Sequence, residues 1–228
     1  MRSDKKKSID ARILPHLADV AAGAASFFRN EGRTYPWRSE RSLYRLAIAE
    51  ILLQKTRANS ALPIYNDLVA RYRSPEKLAR ADEDDLEASL RPIGLAIKRS
   101  RQLRGMAVSL VTEGENILRD RARALKVVPG LGAYAVRAIA CFGNGDRVGI
   151  VDANVARILR RVFSVSSPDP RAVVYQHIAD AVIDLAHDAR ESNFGLLDIG
   201  AAVCVRVPKC SMCPFGRFCA RFEIDRSQ

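Results

Sequence analysis

The residues with the most chemical reach in this 228-residue chain gather in a few short stretches. Cys204, Cys210, Cys213 and Cys219 follow one another as Cys-x5-Cys-x2-Cys-x5-Cys. Thiols crowded in this way bind metal more readily than they form disulfides, given that the N-terminus shows no signal-peptide core. The fifth cysteine, Cys141, stands beside Phe142 in an apolar run and reads as a buried thiol. Glu50 shares a helical face with Leu46, Ala47 and Leu53. Burial raises a carboxyl pKa by up to ~3–5 units and keeps a proton available near neutrality, unless a cation such as Arg57 pairs with it. Residues 125–139 run through Pro129, Gly130 and Gly132 into an apolar helix. Two glycines with positive φ at a helix start would aim backbone N–H groups at a phosphate. Asp152 opens a helical run carrying Val155, Ile158, Leu159 and Val162, where its carboxylate serves as an N-cap. The three histidines, His16, His177 and His187, have no metal-binding spacing, and none reads as catalytic.

The elements that must carry these residues are helical. Apolar residues recur at helix spacing over residues 42–57, 82–90, 99–111 and 173–185. Residues 147–151 are the best strand candidate, and they are few. Gly94, Pro129-Gly130 and residues 143–145 fall between helices as breakers. The expected fold class is all-α, in two helical lobes. Lys and Arg total 37 against 26 Asp and Glu, a net charge of +11, which points to a polyanionic partner. Nucleic acid is the commonest such partner, and Lys98, Arg99, Arg101 and Arg104 form a basic run able to hold phosphates. No long uncharged apolar stretch occurs, so membrane binding fits poorly and a cytoplasmic, nucleoid-associated location is expected. The basic start, residues 1–8, reads as a solvated tail.

Read in order, several short motifs make a pattern: Tyr-Pro-Trp-Arg at 35–38, Ala-Glu-Ile-Leu-Leu-Gln-Lys-Thr at 49–56 and Pro-Ile-Gly-Leu at 92–95. Val-Pro-Gly-Leu-Gly-Ala-Tyr at 128–134, Val-Asp-Ala-Asn at 151–154 and Leu-Leu-Asp-Ile-Gly-Ala at 196–201 follow, and the cysteines come last. The chain thereby resembles the helix-hairpin-helix DNA glycosylase superfamily over about residues 33–220. The branch it resembles is that of the MutY adenine and mismatch thymine glycosylases. The resemblance implies a six-helix barrel over residues 40–148. It also implies a second lobe, built from residues 1–39 and 149–228, that carries an iron–sulfur loop, with DNA in the cleft between.

The resemblance also assigns roles. Breaking a C1′–N bond passes through an oxocarbenium-like state, and Asp152 matches the carboxylate that stabilises it. Glu50 matches the acid that protonates the departing base. Tyr134 stands where bifunctional members carry a Schiff-base lysine, so the chemistry should stop at an abasic site. Lys126, before the turn, is in the wrong register to replace that lysine. Gln54 or Lys55 matches the side chain that fills the gap left by a flipped nucleotide. Gly130, Gly132, Arg38, Lys98 and Arg99 complete the expected DNA contacts, with Arg206 and Lys209 in the cysteine loop. Structural zinc favours two separated Cys-x2-Cys knuckles, whereas a single one within a compact four-thiolate loop suits a [4Fe–4S] cluster. The first gap is one residue shorter than in the family. The expected activity is monofunctional removal of thymine or uracil opposite guanine, from double-stranded DNA, by a monomer. Asp-Ala-Asn at 152–154 and a chain ending nine residues after Cys219 point that way rather than to adenine opposite guanine or 8-oxoguanine. An iron–sulfur protein that binds DNA without catalysis, or a redox-sensing regulator, is the alternative of another class.

Overall fold

A computed structural model describes residues 14–220; the basic start lies outside the described residues. Every regular element among them is helical, as the periodicity predicts. The helices divide between two compact units, residues 35–144 and residues 1–34 with 145–228.

The first unit holds α2 (Pro36–Ser39), α3 (Leu43–Leu53), α4 (Ala58–Arg71), α5 (Pro75–Ala79), α6 (Glu83–Leu90), α7 (Ala96–Glu113), α8 (Arg121–Val127) and α9 (Ala133–Asn144). Their starts are written in the sequence. Ser42 accepts the N–H of Arg45, Asp82 that of Asp85, and Asp120 those of Ala122 and Arg123, each satisfying N–H groups the helix itself cannot. Helix α3 is buried from Leu43 through Leu52 except at Arg45, so it is the centre of the unit. Gly143 does not break α9. It lies in the last turn, where a Cβ would come within 2.4 Å of Leu43 Cδ2, and the break falls to Gly145 at φ +77°.

The second unit combines α1 (Leu17–Glu31) with α10 (Ala153–Phe163), α11 (Val173–Asp184), α12 (Ala189–Ala202) and the cysteine loop. Residues 147–151 form no strand. The Gly149 and Ile150 N–H groups donate to Asp180 Oδ1 (2.8 Å) and Asn193 Oδ1 (2.9 Å). The Val148 and Gly149 carbonyls accept from Asn193 Nδ2 and Gln176 Nε2, both at 3.0 Å. Side chains of α11 and α12 take the part of a neighbouring strand, because buried backbone groups must be satisfied by something.

Helices α1 and α12 meet at closest approach through Gly195, whose absent Cβ would lie 1.8 Å from Ala24 O. Around it Leu17, Val20, Ala21, Ala24 and Ala25 are buried. Gly195→Ala should force the two backbones apart and cost about 3 kcal/mol or more. Gly132→Ala meets open space and should cost less than about 0.5 kcal/mol. Urea denaturation midpoints compare the two, and equal midpoints would refute the close contact.

Candidate functional site

The glycine turn joins α8 to α9 and is tighter than two flexible glycines would make it. Only Gly130 has positive φ (+83°), and a Cβ there would meet Gln102 Cβ at 3.0 Å. Gly132 does not. Its carbonyl accepts the Val136 N–H and so starts α9. Tyr134 lies in the first turn of α9, 37% exposed, and Lys126 is exposed in the last turn of α8.

Glu50 lies within the buried length of α3 and is 8% exposed. No hydrogen bond or ion pair reaches it among the described residues, and Arg57 does not pair with it. Burial alone pushes its carboxyl up to about 8. The group is therefore protonated at neutral pH, the state needed to donate a proton.

Just beyond α3, Gln54 turns inward, its Nε2 donating to Gly130 O at 2.7 Å. That amide is thereby committed to the protein. Lys55 is exposed, with its backbone in the left-handed region (φ +55°), at a cost of about 1–2 kcal/mol for a residue with a Cβ. Arg99, expected among the phosphate contacts, is instead buried at 2% exposure. Its Nη1 donates to Ile93 O (2.7 Å) and Gly94 O, and its Nη2 to Gln54 O (2.6 Å) and Thr56 Oγ1 (2.5 Å). Charge-assisted bonds of this kind, about 1.5–3 kcal/mol each, offset the cost of taking the guanidinium out of water. Lys98 and Arg101 remain exposed, whereas Arg104 reaches back to Glu83 at 2.8 Å. Arg38 stacks over the Tyr35 ring at 5.9 Å.

In the second unit, Asp152 caps α10. Oδ1 accepts the N–H groups of Asn154 and Val155 at 2.8 and 2.7 Å, and Oδ2 accepts Asn154 Nδ2 at 3.0 Å. The Asn154 amide is oriented by Arg157, whose Nη2 donates to Asn154 Oδ1 (2.8 Å). A guanidinium has no acceptor, so the amide must present its oxygen to Arg157 and its N–H to Asp152. The carboxylate is half-buried and held on both oxygens by donors, so its position is fixed.

The same helix reaches the cysteine loop. Arg157 donates to Cys204 O (2.7 Å) and Gly200 O (2.7 Å), and Arg161 donates to Cys204 Sγ (3.4 Å), Val205 O (2.6 Å) and Arg206 O (3.0 Å). All four loop cysteines line one pocket, with Val162, Val203 and Phe215 among its walls. Burial pushes the Cys213 thiol up to about 11. Among the described residues, no three His, Cys, Asp or Glu side chains are grouped so as to hold a single metal ion. Arg206 and Lys209 are exposed, and Cys141 is buried in α9.

Four functional partners escaped the sequence. Asn193, Asp180 and Gln176 bind the segment leading to Asp152, and Arg157 orients its neighbour. The available signal was a polar pair, Ser192-Asn193, fully buried on α12.

Residues 48–182 match the HhH-GPD superfamily of base excision DNA repair proteins, and the chain belongs to it. It is 31% identical over 206 residues to a thymine/uracil-DNA glycosylase of Methanothermobacter thermautotrophicus, covering 87% of this chain and 90% of that one. It is 30% identical to an adenine DNA glycosylase of Mycobacterium tuberculosis, covering 87% of this chain and 66% of that one. The fold superposes on a thermostable thymine-DNA glycosylase with a TM-score of 0.85 at 28% identity, over 92% of this chain and 98% of that one.

Glu50 has a thermodynamic signature. Its folded pKa lies above the ordinary 4.5, so ionisation favours the unfolded chain as pH rises. The cost begins near 4.5, grows through neutrality and levels off above about 8, where the folded group ionises too. Glu50→Gln removes that cost. The variant should gain on the parent by an amount on the order of a few kcal/mol at pH 8, shrinking toward nothing below pH 4.5. A stability difference that stays constant with pH would mean that Glu50 ionises normally in the fold.

Proposed function

We propose that the chain is a monofunctional DNA glycosylase that hydrolyses the N-glycosidic bond of thymine or uracil opposite guanine. The observation that carries the reading is the contrast between two carboxyls: Asp152 is gripped on both oxygens by N–H donors, whereas Glu50 is buried without a partner among the described residues. Asp152 is fixed in place by three N–H donors, which suits its carboxylate to stabilise positive charge developing at the sugar C1′. Glu50 is kept protonated by burial, which suits it to deliver a proton to the departing base. Tyr134 has no amine, so no covalent Schiff base forms there and the product is an intact abasic strand. Lys55 is the side chain that fills the vacated stack, since the Gln54 amide already serves Gly130. The Gly130 turn, Lys98 and Arg38 hold DNA backbone.

The choice of pyrimidine rests on Asp152-Ala153-Asn154 and on the near full-length similarity to thymine/uracil-DNA glycosylases. Adenine opposite guanine or 8-oxoguanine is the second reading. The Glu50 proton favours it, because purine ring nitrogens accept a proton well.

Cys204, Cys210, Cys213 and Cys219 would hold a [4Fe–4S] cluster. All four line one pocket, and four thiolates in one compact loop suit a polynuclear iron–sulfur centre. The bound cluster would supply a structural staple for the loop. Arg161 keeps a donor on the Cys204 sulfur, and Val162, Val203 and Phe215 keep water out.

Duplexes carrying T·G, U·G, A·G and A·8-oxoguanine pairs, scored for strand breaks after alkali, test the assignment. T·G and U·G should react, breaks should need alkali, and borohydride should trap no adduct. Strong adenine release with untouched T·G and U·G would move the enzyme to the second reading. Asp152→Asn should bind the same duplexes and lose excision by roughly 100-fold or more, on the scale of lost charge stabilisation. The purified protein should be yellow-brown with iron; stoichiometric zinc would sink the cluster assignment.

A further inference from the structure

The basic run after Gly94 does not present Arg99 to a ligand; it turns that charge inward, onto main chain. Arg99 Nη1 holds Ile93 O and Gly94 O, while Nη2 holds Gln54 O and Thr56 Oγ1. One planar fork thus ties residues 54–56 to residues 93–95. These are separate loops, one after α3 and one before α7, with no helix in common. Among the described residues no carboxylate pairs with Arg99, and its Nε has no partner. A guanidinium buried without a counter-ion is a poor way to add stability, since apolar side chains would fill the space at less cost.

Both loops have the same peculiarity. Lys55, Gly94 and Leu95 are left-handed, at φ +55°, +70° and +54°. Gly130, also left-handed, receives the Gln54 side chain. In the described part of this unit, Gly114 is the only other residue with positive φ. The exposed tips of the two loops are a long cation, Lys55, and an apolar side chain, Leu95, 53% exposed. An apolar side chain pushed between base steps, beside a cation, is the chemistry that unstacks a duplex. Such tips work only if the loops cannot fold back under load.

We infer that Arg99 is a positioning residue that locks residues 54–56 and 93–95 into one rigid two-pronged wedge, whose task is to pry a nucleotide out of double-stranded DNA. The inference rests on the DNA glycosylase reading for its substrate. Arg99 touches no DNA itself; it sets where Lys55 and Leu95 stand. Lysine cannot replace it, because one ammonium cannot span acceptors on both loops in the geometry of a flat fork. Thr56→Val removes a single acceptor and keeps the shape.

The test uses the full chain and a G·T duplex with 2-aminopurine next to the mismatched thymine, whose fluorescence rises when the stack opens. Binding is followed separately by anisotropy of a dye at the far end. Arg99→Lys and Thr56→Val should bind within about threefold of the parent, yet show an extrusion equilibrium lower by about tenfold, the loss of one charge-assisted bond. Should Arg99→Lys fail to fold, Thr56→Val carries the same comparison. Variants that extrude as the parent does, or that lose binding and extrusion together, would overturn the inference. So would a parent that binds without any fluorescence rise. A parent that extrudes but never releases a base would sink the glycosylase reading alone.

Discussion

Asp152 stands where a segment with no neighbouring strand meets a helix that needs a cap, and both demands fall on backbone N–H and C=O groups that neither element can pair for itself. The segment's groups are met by Asp180, Asn193 and Gln176. The helix's first N–H groups are met by Asp152 itself. Each solution fixes the next. Asn193 can serve two backbone groups only because α12 lies close, and α12 lies close to α10 because Gly200 has no Cβ to strike Asn154, which would be 2.8 Å away. Gly149 is barred from a side chain by the Ala179 backbone at 2.5 Å. The carboxylate therefore inherits its position from two helices that contribute nothing to its charge.

The two units solve the problem of charge differently. Around Asp152, backbone and amide donors converge on a carboxylate, and Arg157 orients the amide. Around Glu50, nothing converges, and the missing partner is what keeps the proton in place. A hydrogen-bond donor or a cation placed beside Glu50 would lower its pKa and release that proton. The charge surplus follows the same division. Some cations, such as Arg99, Arg157 and Arg161, are spent on carbonyls inside the protein, while Lys55, Lys98, Arg206 and Lys209 stay at the surface.

Helix existence was legible because it follows from apolar spacing and from capping residues such as Asp82, Asp152 and Ser42, all local signals. The burial of Glu50 was legible from its neighbours on α3. Arg99 was misread because a run of cations looks the same whether it faces solvent or carbonyls; only the position of Gln54 and Thr56, more than forty residues away, decides. Residues 147–151 read as a strand candidate, but their backbone partners are side chains on α11 and α12, which leave no alternating pattern in the sequence. Gly143 looked like a breaker because glycine serves both for turns and for close approach, and composition cannot tell the two apart.

The pairing of α1 with α12 imposes an order on synthesis. Arg33 and its partner Asp198 are 165 residues apart, and Ser192 reaches Ala21 across 171. At roughly 5–20 residues per second, the first helix leaves the ribosome on the order of ten to thirty seconds before its partner exists. During that interval residues 35–144 can complete a core of their own, while Val20, Ala21 and Ala24 wait uncovered. The second unit therefore cannot close its α1–α12 contact, the one that Gly195 makes possible, until residues 189–202 have been made.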